Sequence, residues 1–216
     1  MAKTVTAAEM KERERAANEA GLLYIQMMEN AGRAAWKELK ARVPALRRLL
    51  IVAGKGNNGG EGFVMARVAA KEGVQVRVLL AEGEPKTADA KTNLARLAET
   101  AAEIVRDTEQ AAFGADAVVD ALYGTGFHGE LRPDGAAACA LMGRERERGA
   151  FVLALDLPSG VSADSGEVAE GAVQADATVT FDCTKPLHFA KASKPLCGAL
   201  VCADIGIGKA LGERET

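Results

Sequence analysis

Two carboxylates, Asp120 after Val118-Val119 and Asp156 after Leu153-Ala154-Leu155, each close a short apolar run and open a loop rich in glycine. A carboxylate at the end of a buried strand is costly unless it is paired, hydrogen-bonded or metal-bound. Either one alone reads as a cap on the following turn, but both at parallel strand ends point to a shared site. The loop after Asp120 runs Leu122-Tyr123-Gly124-Thr125-Gly126-Phe127-His128-Gly129-Glu130, and the loop after Asp156 runs Leu157-Pro158-Ser159-Gly160. A third segment, Leu49 to Val64, reads as a buried strand delivering a glycine-rich turn to a helix start. Gly54, Gly56 and Gly59 there satisfy G-x-G-x-x-G, and freed backbone N–H groups at a helix start make an anion site. The adjacent amides of Asn57 and Asn58 add carbonyl acceptors and N–H donors, suited to a polar ligand or a hard cation.

Several chemistries are excluded by what is missing. No G-x-S-x-G surrounds Ser159 and the chain has only two histidines, which removes a serine-hydrolase reading. No Gly-Lys-Ser/Thr closes the glycine turn, which removes a P-loop. Cys139, Cys183, Cys197 and Cys202 lack C-x-x-C spacing and read as buried reduced thiols. A formal net charge of −3 gives no field to attract nucleic acid or an anionic membrane, so any anionic ligand must be held locally. Without an apolar leader or a run of 18 apolar residues, the expected location is the cytoplasm.

The elements that must position these loops follow from periodicity. Thr6 with Glu9 predicts a capping box opening a charged helix to about Gly21. Leu23, Met27, Ala31, Ala34, Ala35 and Leu39 recur at helical spacing, predicting a helix over 23–42 that ends before Pro44. Apolar runs then predict strands near 49–53, 75–80, 102–105, 116–121, 150–155, 176–181 and 199–203. Between them fall helices near 60–72, 86–99, 107–113 and 135–147. This alternation argues for one α/β domain over 1–216 with a mostly parallel sheet covered on both faces. In such sheets ligands bind outside the carboxyl ends of the strands.

Five segments carry a resemblance over nearly the whole chain. Met28-Glu29-Asn30-Ala31-Gly32, Gly56-Asn57-Asn58-Gly59-Gly60, Asp120-Ala121-Leu122 with Gly124-Thr125-Gly126, Asp156-Leu157-Pro158-Ser159-Gly160, and Thr178-Val179-Thr180-Phe181 with Lys185-Pro186 resemble the YjeF N-terminal domain, the NAD(P)H-hydrate epimerases. The resemblance implies a three-layer α/β/α Rossmann-like sandwich. It implies interconversion of the R and S epimers of NADHX and NADPHX, of which a partner dehydratase repairs only the S form. It implies substrate contacts at Asn57, Asn58, Gly59, Gly60, Glu61, at Gly124, Thr125, Gly126, Phe127, His128, Gly129, Glu130, and at Asp156. Potassium ligands are implied at Asn58, Asp120 and Ser159; an amide oxygen, a carboxylate and a hydroxyl are the hard donors such an ion accepts. Glu61 departs from the family's usual Asp by one methylene. The dehydratase domain of bifunctional members is expected to be absent, and a homodimer is expected through Met27, Ala31, Ala34, Ala35 and Trp36.

Asp156 is the expected proton carrier, since desolvation at a strand end pushes a carboxyl toward the working range of an acid–base catalyst. Expelling the C6 hydroxyl and returning water to the other face would invert the centre; ring opening and reclosure would do so equally. Lys185 is expected to line the site or fix its loop, His128 to face solvent, and His188 to have no role. Glu29 and Asn30 serve either their helix or the site rim. Two other functions fit the residues: an NAD(P) oxidoreductase, with Glu82 placed 23 residues past Gly59 to hold a ribose hydroxyl, and a non-catalytic scaffold on the same fold.

Overall fold

The computed structural model describes residues 3–213; the ends of the expected 1–216 domain lie outside the described residues. Thr6 caps α1 (Ala7–Glu19) through the anticipated box, its Oγ1 accepting from Glu9 N–H at 3.2 Å while its own N–H donates to Glu9 Oε2 at 2.7 Å. α2 (Tyr24–Arg42) stops short of Pro44, and β1 (Arg48–Ala53) leads into α3 (Asn57–Lys71). There follow β2 (Gln75–Leu80), α4 (Ala88–Leu97), β3 (Glu103–Val105), the single turn α5 (Thr108–Ala111) and β4 (Ala117–Ala121). α6 (Pro133–Glu147), β5 (Phe151–Leu155), β6 (Ala177–Phe181), β7 (Ala199–Ala203) and α7 (Ile207–Ala210) complete the chain.

The seven strands form one sheet in the order β3-β2-β1-β4-β5-β6-β7. Every pairing is parallel, so the antiparallel edge that "mostly parallel" allowed does not occur. Successive side chains of a strand point to opposite faces, and both faces here are apolar. Leu49, Ile51 and Ala53 of β1 enter one core with α2 and α3, while Leu50 and Val52 enter the other with α6. Strand order reverses between β1 and β4, which opens a crevice at their carboxyl ends.

The glycine-rich segment differs from expectation. The helix begins at Asn57 rather than near residue 60, with Gly56 as its N-cap, so the supposed loop is largely the first turn of α3. Its glycines are there for close packing. A Cβ on Gly54 would overlap the Leu122 carbonyl, one on Gly59 the Gly54 carbonyl, and one on Gly60 the Met28 side chain. Gly32 of α2 likewise lets that helix lie against Val64 and the Glu61 carbonyl. Only Gly56 faces open space in this turn.

This packing corrects the route to a dimer. Met27, Ala31, Ala35 and Trp36 are buried within one chain, and the Trp36 indole donates to Glu72 Oε1 at 2.9 Å. Of the face expected to pair, Ala34 alone is part-exposed, so the other four side chains serve this chain's own core rather than a second copy. We expect Gly59→Ala to lose about 3 kcal/mol or more of stability because backbone must move. Gly56→Ala, with room for its methyl, should stay within about 1 kcal/mol of the parent. Urea unfolding of the two variants checks this, and equal midpoints would refute it.

Candidate active site

β4 carries Asp120 one residue before its end; the residue is completely buried, and its carboxylate clasps the loop after β5. Asp120 Oδ2 accepts from Ser159 N–H at 2.7 Å and Oδ1 from Ser159 Oγ at 2.6 Å, with Leu122 N–H 3.2 Å from Oδ1. Burial pushes the Asp120 carboxyl up to about 6, against the Ser159 and Leu122 hydrogen bonds that hold it down. Among the described residues no Lys, Arg or His lies within 4.0 Å of it. Ser159 Oγ accepts in turn from Tyr123 N–H at 2.9 Å, and the Tyr123 carbonyl accepts from Asn58 Nδ2 at 2.8 Å. Asn58, Asp120 and Ser159 are thus gathered around the Tyr123 backbone. The Asn58 Oδ1 atom is buried without a hydrogen-bond partner.

Asp156 stands at φ 65°, a left-handed conformation that non-glycine residues rarely adopt. Its N–H donates to the Val179 carbonyl at 2.7 Å, fixing it beside the end of β6. Its Oδ1 meets Lys185 Nζ directly, and Thr180 Oγ1 lies 2.9 Å from that oxygen and 2.8 Å from the ammonium. Lys185 is almost wholly buried, so the carboxylate is not the unpaired group that desolvation alone suggested. His188, given no role from sequence, is a correction. It is buried, its Nδ1 accepts from Lys185 N–H at 2.9 Å, and its Nε2 then donates to the Asp156 carbonyl at 3.0 Å. Burial depresses its pKa, which keeps the ring in this neutral form.

Two clefts meet over these residues. The first, about 650 Å³, is lined by Lys55, Lys86 and Arg132 as well as Gly56, Asn57, Asn58, Glu61, Glu82 and Asp156. Its further wall is Tyr123, Gly124, Thr125, Gly126, Phe127, His128 and Glu130. Phe127 packs on Tyr123 with ring centroids 5.0 Å apart, and His128 lies exposed on the rim. The second, about 580 Å³, is mostly apolar, with Met10, Met27, Met28, Phe181 and Ile205. Glu14, Asn57, Glu61, Thr87, Thr125, Gly126 and Asp156 belong to both. Burial pushes the Glu61 carboxyl well up, with Asp156 and Glu14 adding to it and Lys185 opposing. Glu14 rises to about 7, first through burial and then through Asp156.

Three implied substrate contacts do not line these clefts. Gly59 and Gly60 are buried in the first turn of α3, where they let backbone and Met28 approach. Gly129, at φ 75°, turns the chain into a neighbouring groove beside Leu131. Glu82 is partly engaged in the cleft wall, since Tyr123 Oη donates to its Oε1 at 2.8 Å and Arg132 lies 3.6 Å from that oxygen. Glu29 holds Arg33 and Arg67, and Asn30 donates to the Ile205 carbonyl, so both serve packing. Sequence reasoning missed Glu14, Thr87, Tyr123 and Thr180. For Glu14 the signal was present: Met10, Glu14 and Ala17 share one face of α1, and both flanking residues are buried.

Residues 24–187 match the family described as YjeF-related protein N-terminus. The chain belongs to this family. The chain is 40% identical over 206 residues to a Pirellula staleyi protein named NAD(P)H-hydrate epimerase, covering 89% of this chain and 87% of that protein. It is 37% identical over 202 residues to the bifunctional NAD(P)H-hydrate repair enzyme Nnr of Coxiella burnetii, covering 93% of this chain and 41% of that one. The chain therefore spans about two fifths of the length of that bifunctional relative. A crystal structure of the yeast protein ynu0 superposes with a TM-score of 0.76 at 19% identity, over 94% of this chain and 88% of that one, and shows the α/β fold.

The Asp156–Lys185 pair yields a stability prediction. Lys185→Met keeps the volume but leaves Asp156 buried beside Thr180 without its cation, which should cost on the order of 3–5 kcal/mol. The double change Lys185→Met with Asp156→Asn, which removes the charge but keeps a residue that tolerates the left-handed backbone, should recover much of that loss. Urea midpoints decide, and a single variant as stable as the parent would show that the pair carries no charge interaction.

Proposed function

We propose that this chain is an NAD(P)H-hydrate epimerase, an isomerase that interconverts the R and S forms of hydrated NADH and NADPH. The observation that carries the reading is the cleft at the β1–β4 reversal, with strained Asp156 at its floor, in a chain 40% identical to a protein named for that activity. The hydrated ring carries its hydroxyl on a carbon bonded to nitrogen. Protonating that hydroxyl lets the nitrogen lone pair expel it as water, and water returning to the opposite face gives the other epimer. Asp156 is the residue assigned to exchange a proton with the hydroxyl or the incoming water, held in position by Lys185, Thr180 and His188. Lys55, Lys86 and Arg132 at the mouth, with the N–H groups that open α3, suit the pyrophosphate.

Potassium fits the residues present. The unpartnered Asn58 Oδ1, the Asp120 carboxylate without a protein cation and the remaining lone pair of Ser159 Oγ are three oxygen donors around one turn. When bound, the ion supplies positive charge that offsets the buried carboxylate. Four unpaired cysteines, three of them buried, support a reducing compartment, the cytoplasm. A net charge of −3 supports a small-molecule substrate over nucleic acid. The described residues include no helix long and apolar enough to cross a membrane. The bifunctional relatives, named as repair enzymes, support an NAD(P)H-hydrate dehydratase as the functional partner.

Freshly prepared NADHX and NADPHX separated into epimers, with the R:S ratio followed by chromatography, test the activity. The parent should restore the equilibrium ratio far faster than buffer, and Asp156→Asn should lose about 100 to 10,000-fold. A parent no faster than buffer sinks the proposal. For the ion, the melting temperature should be higher in potassium than in an equal concentration of choline. Asn58→Leu should abolish the difference, and identical melting of the parent in both salts would refute the site.

A further inference from the structure

Three carboxyl side chains meet where the two clefts join: Glu14 from α1, Glu61 from α3 and Asp156 from the end of β5. Lys185 is the buried ammonium among them and is committed to Asp156, while Lys11 of α1 lines the second cleft and acts on Glu14. Glu14 and Glu61 form no ion pair or side-chain hydrogen bond among the described residues, and their oxygens are not sealed in protein. They open onto the cleft. Like charges brought together in a partly dry site disfavour one another's ionised form, which favours holding a proton at the junction.

We propose that Glu14 is a second catalytic acid–base residue, delivering a proton to the substrate from a different wall of the cleft than Asp156. The proposal rests on the epimerase reading above. Asp156 reaches the junction from the sheet and Glu14 from the helix that covers it, so a ring bound at the junction meets a proton-exchanging group from each element. Inversion by loss and return of water needs two such groups, since water leaves one face of the ring and arrives at the other. In the forward direction the Glu14 carboxyl gives its proton to the C6 hydroxyl, the C6–O bond breaks with both electrons on oxygen, and water leaves as the ring nitrogen forms a C=N bond. Water then adds to the opposite face and surrenders a proton to the carboxylate waiting there, Asp156. Net charge and atoms are unchanged, and proton exchange through cleft water resets the two groups.

Glu14 suits this role better than Glu61. Burial and Asp156 raise Glu14 to about 7, Asp182 adds to that, and Lys185 and Lys11 oppose it. A group poised there can give and regain its proton at working pH. Burial, Asp156 and Glu14 also push the Glu61 carboxyl up, and it lines both clefts from α3 beside the exchanging pair.

The experiment measures steady-state epimerisation by Glu14→Gln and the parent from pH 5.5 to 9. Expected for Glu14→Gln is a fall in kcat of about 100-fold or more with KM little changed. The parent's kcat should decline as pH rises through the neutral range, as Glu14 loses its proton, and this limb should be absent from the variant. Formate added to Glu14→Ala should restore part of the rate. A parent that epimerises while Glu14→Gln stays within about threefold of it overturns Glu14 alone. A parent that does not epimerise overturns the epimerase reading and the reaction assigned here with it. Should Glu14→Gln fail to fold, the ¹³C carboxyl titration of the intact parent and of Glu61→Gln decides. A glutamate carboxyl that holds its proton to near neutrality and persists in Glu61→Gln supports the proposal, and the absence of any such signal in Glu61→Gln ends it.

Discussion

A carboxylate buried without a protein counter-ion is the constraint around which this molecule is arranged. Asp120 cannot keep its charge in an apolar strand end unless neighbouring groups solvate it, and the donors come from the loop that follows β5. That obligation clasps the end of β4 to Ser159, and Ser159 reaches on to the Tyr123 backbone, which holds Asn58 at the start of α3. Three segments far apart in sequence become one rigid rim. Asp156 lies three residues before Ser159 on the same turn, so its left-handed backbone is imposed by the clasp on one side and by the Val179 carbonyl on the other.

The clefts divide according to charge. Their mouth gathers Lys55, Lys86 and Arg132 near an open helix start, while the junction gathers carboxyls around one buried lysine. Phosphate and reacting ring make opposite demands, and a dinucleotide presents both within one molecule. Phosphates need fixed positive charge and N–H donors, whereas a ring losing and regaining water needs groups that exchange protons near neutrality. The second cleft adds apolar walls, Met27, Met28, Phe181 and Ile205, beside that junction.

Much of this was legible in the sequence, and the exceptions have physical reasons. All seven strands lie within one residue of their expected bounds, since parallel strands buried on both faces must be continuous apolar runs. The start of α3 was misplaced because Asn and Gly are poor helix formers; tertiary packing against Leu122 and Met28 overrides propensity there. Asp120 was legible as a strand-end carboxylate, whereas Asn58 and Ser159 joined it through the family resemblance; their loops share one rim because β1, β4 and β5 are adjacent and parallel. Lys185 was flagged, but its contact with Asp156 depends on the β5–β6 register, Leu155 opposite Val179, which no local pattern reveals. His188 followed Lys185 out of sight for the same reason. Glu14 was hidden by its surroundings, Lys11 to Arg15, which read as a solvated charged face.

The strain at this rim explains the texture of the rest of the chain. A non-glycine residue held left-handed costs about 1–3 kcal/mol, and a buried ion pair returns little net stability. Against a total of about 5–15 kcal/mol, the rim consumes a meaningful share. Stability must then come from elsewhere, and aromatic bulk is scarce at 4% of residues. It comes from close approach. Gly32, Gly54, Gly59, Gly60 and Gly62 let α2, α3 and the sheet meet at distances that any Cβ would forbid, multiplying dispersion contacts across small aliphatic side chains. The same closeness fixes α3 against the β4 loop, and α3 carries Asn58 and Glu61. Packing that offsets the strained site also holds the site in register, so a single methyl added at Gly59 would disturb both the core and the position of Asn58.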